Sequence, residues 1–270
     1  MTTTTTTASA VPPPPQKTLA QRVPDFLIWG VLIGLLLIAF GPAELYKLPL
    51  LFANSSNMQE LGRGFVTPDW TNLQLYVSKM WQTIQMAIWG TFLAILTAIP
   101  LGLLASRNIT PWFIQWPIRR ALDIVRSIPD LVIGMIFLVA VGPGPLAGVM
   151  ALAIGTSGVL AKLFSEATES IDRGPVEGVR ATGGAKLHEI VWGVIPQVAP
   201  LWTSYALYRF ESNSRSATVL GLIGAGGIGQ VLYESMNSFS YSETGAIVIV
   251  IIVAVVGIDM LSQAIRGRLL

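Results

Sequence analysis

Apolar and polar positions along this chain do not alternate with the short periods of a soluble fold; they separate into long apolar runs and short polar breaks. Residues 26–43 form an 18-residue apolar run, residues 80–105 are 26 positions without a charge, and residues 131–161 contain none either. A helix needs only about 20 apolar residues to cross a hydrocarbon core of roughly 30 Å. The runs predict six spans: 26–43, 80–105, 118–141, 146–168, 198–223 and 245–265. Their breakers have turn chemistry. Asn54-Ser55-Ser56-Asn57 and Thr67-Pro68-Asp69 sit in a polar loop expected over 44–78, and Gly142-Pro143-Gly144-Pro145 predicts a tight turn. Pro100 and Pro129 are expected to kink their spans, because proline removes a helical hydrogen bond.

Composition supports an all-α membrane protein. Of 270 residues 52% are hydrophobic and 12% charged, against about 25% charged in soluble domains. The absence of cysteine excludes disulfides and thiolate chemistry. A formal charge of +2 is the slight basic excess that cytoplasmic loops produce, so nucleic acid is not an expected partner. The threonine run Thr2–Thr7 and prolines 12–15 have little to bury, and residues 1–24 are expected to be a disordered cytoplasmic segment. The first apolar run exceeds the 7–15 residues typical of a signal peptide and is read as a retained span.

Lys and Arg near span ends set the orientation. With the N-terminus inside, ten fall on the cytoplasmic side (Lys17, Arg22, Arg107, Arg119, Arg120, Arg173, Arg180, Lys186, Arg266, Arg268) and three outside (Lys47, Arg63, Lys79). Both termini are therefore expected in the cytoplasm. Arg126, Lys162, Arg209 and Arg215 fall within spans.

The stretch between the fourth and fifth spans contains Gly174-Pro175-Val176-Glu177-Gly178-Val179-Arg180-Ala181-Thr182-Gly183-Gly184. Proline suits a first helical turn, Glu177 is favoured near the N-terminus, and the glycine pair stops the helix. This predicts a bounded surface helix of two to three turns within about 174–187. Glu177, Gly183 six residues later and Ile195-Pro196 resemble the E-A-A loop of bacterial ATP-binding-cassette (ABC) importer permeases. Gly178 and Val179 replace the two alanines, and Gly193 stands where isoleucine is usual. The resemblance implies a type I importer permease fold over 25–270, in a multi-pass protein of the bacterial inner membrane. It also implies a coupling helix carrying Pro175, Glu177, Gly178, Arg180, Ala181, Gly183 and Pro196. Further implications are a homodimer, two cytoplasmic ATPase subunits that hold ATP and Mg, an extracytoplasmic binding protein, and no cofactor or catalytic site in this chain.

Over residues 73–270 several segments look like the phosphonate and phosphite permeases in particular: Arg126-Ser127-Ile128-Pro129-Asp130, Gly158 to Phe164, Gly174 to Glu177, and Leu207 to Gly229. A permease for another small solute, such as methionine or an amino acid, is the alternative. A charge within a span costs about 2.5–3.5 kcal/mol on insertion scales and faces a partner or a water-filled path. Arg126, Ser127, Pro129, Lys162, Arg209, Glu211, Asn213 and Arg215 are the pathway candidates. Glu211 and Arg215 are four apart and can pair, as Arg209 and Asn213 share an adjacent face. Arginine's planar fork suits phosphorus oxyanions; equally, these charges can pair with one another.

Gly224, Gly226, Gly227 and Gly229 match G-x-G-x-x-G, but at the end of a span they predict a sharp turn beside the outer gate, not a nucleotide site. His188 is the only histidine, so no histidine metal site can be built. Gly30 and Gly34 fit a helix-packing pattern, and Asp259 is read as a hydrogen-bonding residue of the last span.

Overall fold

A computed structural model describes residues 19–53 and 55–269. They form two compact units that divide between Gln59 and Glu60. The first contains α1 (Leu19–Phe40), a 3₁₀ turn (Leu45–Lys47) and α2 (Pro49–Ala53). α1 starts at Leu19, inside the stretch expected to be disordered, while Thr2 to Pro15 lie outside the described residues. Helix α3 (Ser55–Val66) runs across the division. The loop expected over 44–78 is thus largely helical. Its helices were hidden because α3 is amphipathic, not apolar, and Ser55, Ser56 and Asn57 lie in a helix instead of a turn.

The second unit carries α4 (Leu73–Ala105), α5 (Trp112–Ser127), α6 (Asp130–Val141), α7 (Pro145–Glu169), α8 (Arg173–Ala181) and α9 (Lys186–His188). A π-turn at Glu189–Val194 leads into α10 (Ile195–Leu220), and a second at Gly221–Ala225 precedes α11 (Gly227–Asn237) and α12 (Tyr241–Leu269). α4, α7 and α12 are each long and apolar enough to cross a membrane. The bent pairs α5–α6 and Lys186–Ala225 with α11 raise the count to five, and the apolar part of α1, Asp25–Phe40, is shorter.

The third expected span is not one helix. α5 and α6 meet at 87°. Pro129 has no N–H to donate and disfavours helical backbone at the residue before it, and Ile128 is extended at φ −86°, ψ 123°. Twelve-residue α6 alone is too short to cross. Pro100, by contrast, lies within one continuous α4.

The core is built on small residues. A Cβ at Gly90 would stand 2.6 Å from the Leu152 Cβ, and one at Gly102 2.8 Å from the Phe164 Cβ. Ala94 and Ala98, between them at four-residue spacing, are fully buried. This ladder lets α4 and α7 approach backbone to backbone, as membrane helices do when apolar burial gives no drive to associate. Phe164 then stacks on Trp202 of α10, centroids 4.6 Å apart, and the Trp202 indole N–H donates to the Phe164 carbonyl at 3.3 Å. Trp81, Trp89, Phe92 and Leu96 of α4 point outward. Small residues inside and large apolar ones outside mark lipid as the solvent. A Cβ at Gly30 or Gly34 would meet nothing within 4 Å among the described residues, apart from its own helix.

Gly90→Leu should lower stability by about 1–3 kcal/mol through overpacking, read as a lower unfolding temperature of the detergent-solubilised protein. Gly30→Leu should leave that temperature unchanged.

Candidate functional site

Two regions gather the residues singled out by sequence. The first is α8. Asp172 caps it, its carboxylate accepting from the Gly174 N–H at 3.0 Å. Pro175 falls in the first turn, and Gly183 ends the segment at φ +83°. Pro175, Glu177, Gly178, Arg180 and Ala181 are exposed, whereas Val176 turns inward. There it meets Gly193: a Cβ at 193 would lie 2.9 Å from the Val176 Cα. The glycine at that position thus admits the underside of α8. Arg180 makes a bidentate pair with Glu189, Nε to Oε1 at 2.8 Å and Nη2 to Oε2 at 3.0 Å. Hydrogen bonding from Arg180 holds the Glu189 carboxyl below its ordinary value, outweighing the burial that opposes it. Gln197 adds a third tie, accepting from the Asp172 N–H at 3.1 Å and donating to the Gly193 carbonyl at 2.6 Å. A cavity of about 280 Å³ lined by Asn108, Arg173, Glu177, Lys186 and Ile190 opens beside the helix. Pro196 is exposed at the start of α10. Asp172, Val176, Gly193, Glu189 and Gln197 were not found from sequence. Only the departure of Gly193 from isoleucine signalled any of them.

The second region lies along α10. Glu211 divides its carboxylate between two arginines: Arg215 Nη2 donates to Oε1 at 3.0 Å and Arg266 Nη2, from α12, to Oε2 at 3.3 Å. The Glu211 side chain is 10% exposed and that of Arg215 49%. Arg209 and Asn213 do share a face. The Thr156 hydroxyl donates to Asn213 Oδ1 at 2.9 Å, Asn213 Nδ2 donates to the Thr91 hydroxyl at 2.9 Å, and Arg209 Nη2 reaches Thr156 at 3.4 Å. Arg209 Nε is buried with no hydrogen-bond partner among the described residues. Its nearby countercharge is Asp130, the first residue of α6. Asp130 packs into a notch left by Gly155, where any side chain would collide with its carboxylate.

The remaining candidates separate from this cluster. Arg126 pairs with Asp123 at 3.4 Å and Lys162 with Glu166 at 3.8 Å, each on its own helix. Ser127 donates to the Ile124 carbonyl, and Pro129 forms the α5–α6 break. Asp259 accepts from Gln263 at 3.0 Å and His188 is exposed. Among the described residues no group of three or more potential ligands could hold a metal.

The glycine cluster joins two helices at 59°. Gly224, Gly226 and Gly227 have φ of +104°, +82° and +72°, conformations other residues rarely adopt. α4 caps the next helix: Gln82 Oε1 accepts from the Gly227 N–H at 3.2 Å and the Thr83 hydroxyl from the Ile228 N–H at 2.9 Å. Gly229 lies so close to the Thr218 carbonyl that no Cβ fits.

The chain is 39% identical over 254 residues to the phosphate-import permease protein PhnE of Mycolicibacterium smegmatis, covering 93% of this chain and 47% of that protein. It thus spans about half the length of that relative. It is 34% identical to the phosphite transport system permease protein PtxC of Stutzerimonas stutzeri, covering 87% of this chain and 86% of that protein. Its fold resembles a chain of the inward-facing MetNI methionine ABC transporter, with a TM-score of 0.67 at 21% identity over 75% of this chain and 99% of that one. The profile of the family described as binding-protein-dependent transport system inner membrane component matches residues 98–269. The chain belongs to that family, as a multi-pass protein of the bacterial inner membrane.

Proposed function

We propose that this chain is the membrane-spanning permease subunit of an ABC importer for a phosphorus oxyanion such as phosphonate, phosphite or phosphate. The observation that carries the reading is the 34% identity to a phosphite permease across 86% of that protein's length. Two copies form the pathway, both termini face the cytoplasm, and an extracytoplasmic binding protein delivers the solute. Two cytoplasmic ATPase subunits bind ATP and Mg and dock on the exposed face of α8, around Glu177. The geometry supports a lever. Val176 against Gly193, and Arg180 on Glu189, tie α8 to the base of α10, so a push on α8 moves the helix bearing Arg209, Glu211, Asn213 and Arg215. Arg209 and Arg215 supply the cations that an oxyanion meets, and the glycine turn at 224–229 forms the outer gate.

Cells lacking their own uptake systems and supplied with this chain and its partners should accumulate labelled phosphite, phosphonate or phosphate, and not methionine. Uptake of methionine alone would overturn the substrate class.

Glu177→Lys should abolish co-purification with the ATPase while the protein still inserts. Gly193→Ile should displace α8 and lower uptake at least tenfold with Glu177 intact.

The Glu189 carboxyl lies below its ordinary value of 4.5, so its pair with Arg180 is complete above that pH and is lost as pH falls through the lowered value. The pair should therefore stay intact, and add no pH dependence to coupled ATP hydrolysis, from about pH 5 upward. Glu189→Gln should uncouple hydrolysis from uptake at neutral pH.

A further inference from the structure

The first half of α5 is unexplained by transport. It begins at the end of the bundle that carries α8. Arg119 Nε donates to the carbonyl of Ala105, the last residue of α4, at 2.7 Å, and its Nη2 pairs with Glu169, the last residue of α7. Two membrane-crossing helices end here, so this is headgroup level. At that level Trp112 is 76% exposed, and Phe113 and Trp116 also point outward. Arg120 is 64% exposed and lies over the Trp116 ring, 5.8 Å from its centroid. Arg107 is exposed too.

The local charge is unbalanced. Residues 106–127 contain four arginines and one acid, Asp123. Asp123 is shared between Arg120 at 3.6 Å and Arg126 at 3.4 Å. Glu169 is occupied by Arg119 and by the Arg107 backbone N–H. Arg107, and Arg120 over the Trp116 ring, are thus exposed at the same end of the bundle as three outward-pointing aromatic rings.

We infer that the first half of α5 is a binding surface for anionic phospholipid. The rings of Trp112, Phe113 and Trp116 seat at the boundary of headgroups and acyl chains, and Arg107 and Arg120 hold the lipid phosphates. Aromatic rings combined with basic side chains are what an interfacial helix uses: the rings partition into the boundary, and each Arg near an anionic surface adds attraction. The inference needs a membrane-spanning chain but neither the substrate nor the ATPase of the proposed function. Its test is likewise independent of both.

The full-length protein is reconstituted into vesicles containing brominated phosphatidylcholine or, at equal fraction, brominated phosphatidylglycerol, and tryptophan emission is recorded. The share due to Trp112 and Trp116 is the difference between wild type and Trp112→Phe/Trp116→Phe. Brominated phosphatidylglycerol should quench that share more strongly than brominated phosphatidylcholine. Arg107→Gln and Arg120→Gln should each reduce the preference roughly fivefold, equivalent to about 1 kcal/mol per basic residue. Raised salt should weaken the preference in the unmodified protein, an arm that requires no variant to fold. Equal quenching by both lipids, or a preference that survives loss of both arginines, would overturn the inference. So would a pair of tryptophans quenched by neither lipid, which would mean that a second copy or another protein covers this face.

Discussion

The close approach of α4 and α7 is the contact on which the rest of the second unit rests. It forms because Gly90, Ala94, Ala98 and Gly102 present no bulk along one edge of α4. In hydrocarbon, apolar side chains gain nothing by leaving lipid for one another, so association depends on fit and on buried polar partners. Both are present here. The ladder brings the backbones together, and Thr91 and Thr156, from the two helices, then reach Asn213 of α10 from opposite sides. That bond pair fixes the third helix against the first two and places Arg209 and Glu211 at defined positions along α10. Without the glycines the threonines would stand too far apart to share one amide.

Arg209 shows how such a scaffold tolerates charge. Its countercharge, Asp130, does not come from a neighbouring helical turn. It comes from the joint where Pro129 breaks the third span, and it fits only because position 155 has no side chain. Breaking the span thus brings the N-terminus of α6 and its first carboxylate toward the middle of the bundle. The broken helix and the half-buried arginine belong to one device.

What could be read from sequence was what depends on neighbours along the chain. The apolar runs at 80–105, 146–168 and 245–265 located α4, α7 and α12, the three single helices long enough to cross. Gly142 and Gly144 marked the turn that the structure shows, both at positive φ. The limits of α8 followed from Pro175 and Gly183, and the Glu211–Arg215 pair from four-residue spacing. Other features depend on pairs far apart in sequence. Arg266 lies 55 residues from Glu211, and nothing local announces that the two meet. Asp130 with Gly155, Val176 with Gly193 and Gln82 with Gly227 are of the same kind. The angle at Pro129 was also out of reach, because proline signals a break without fixing its size. Helix α3 escaped because its amphipathic pattern lacks the long apolar run by which spans are recognised.

The helical stretch from Lys186 runs through the π-turn at Glu189–Val194 and along α10 as far as Ile223, where the positive φ of Gly224 breaks it. At 1.5 Å of rise per residue it is about 60 Å long, more than the thickness of a bilayer. A rod of that length magnifies small rotations: tilting it by about 5° at one tip swings the other by about 5 Å, nearly one helical pitch. Sub-ångström rearrangement where α8 grips the base can therefore appear as an opening several ångströms wide on the opposite side of the membrane, with no signal relayed between separate parts.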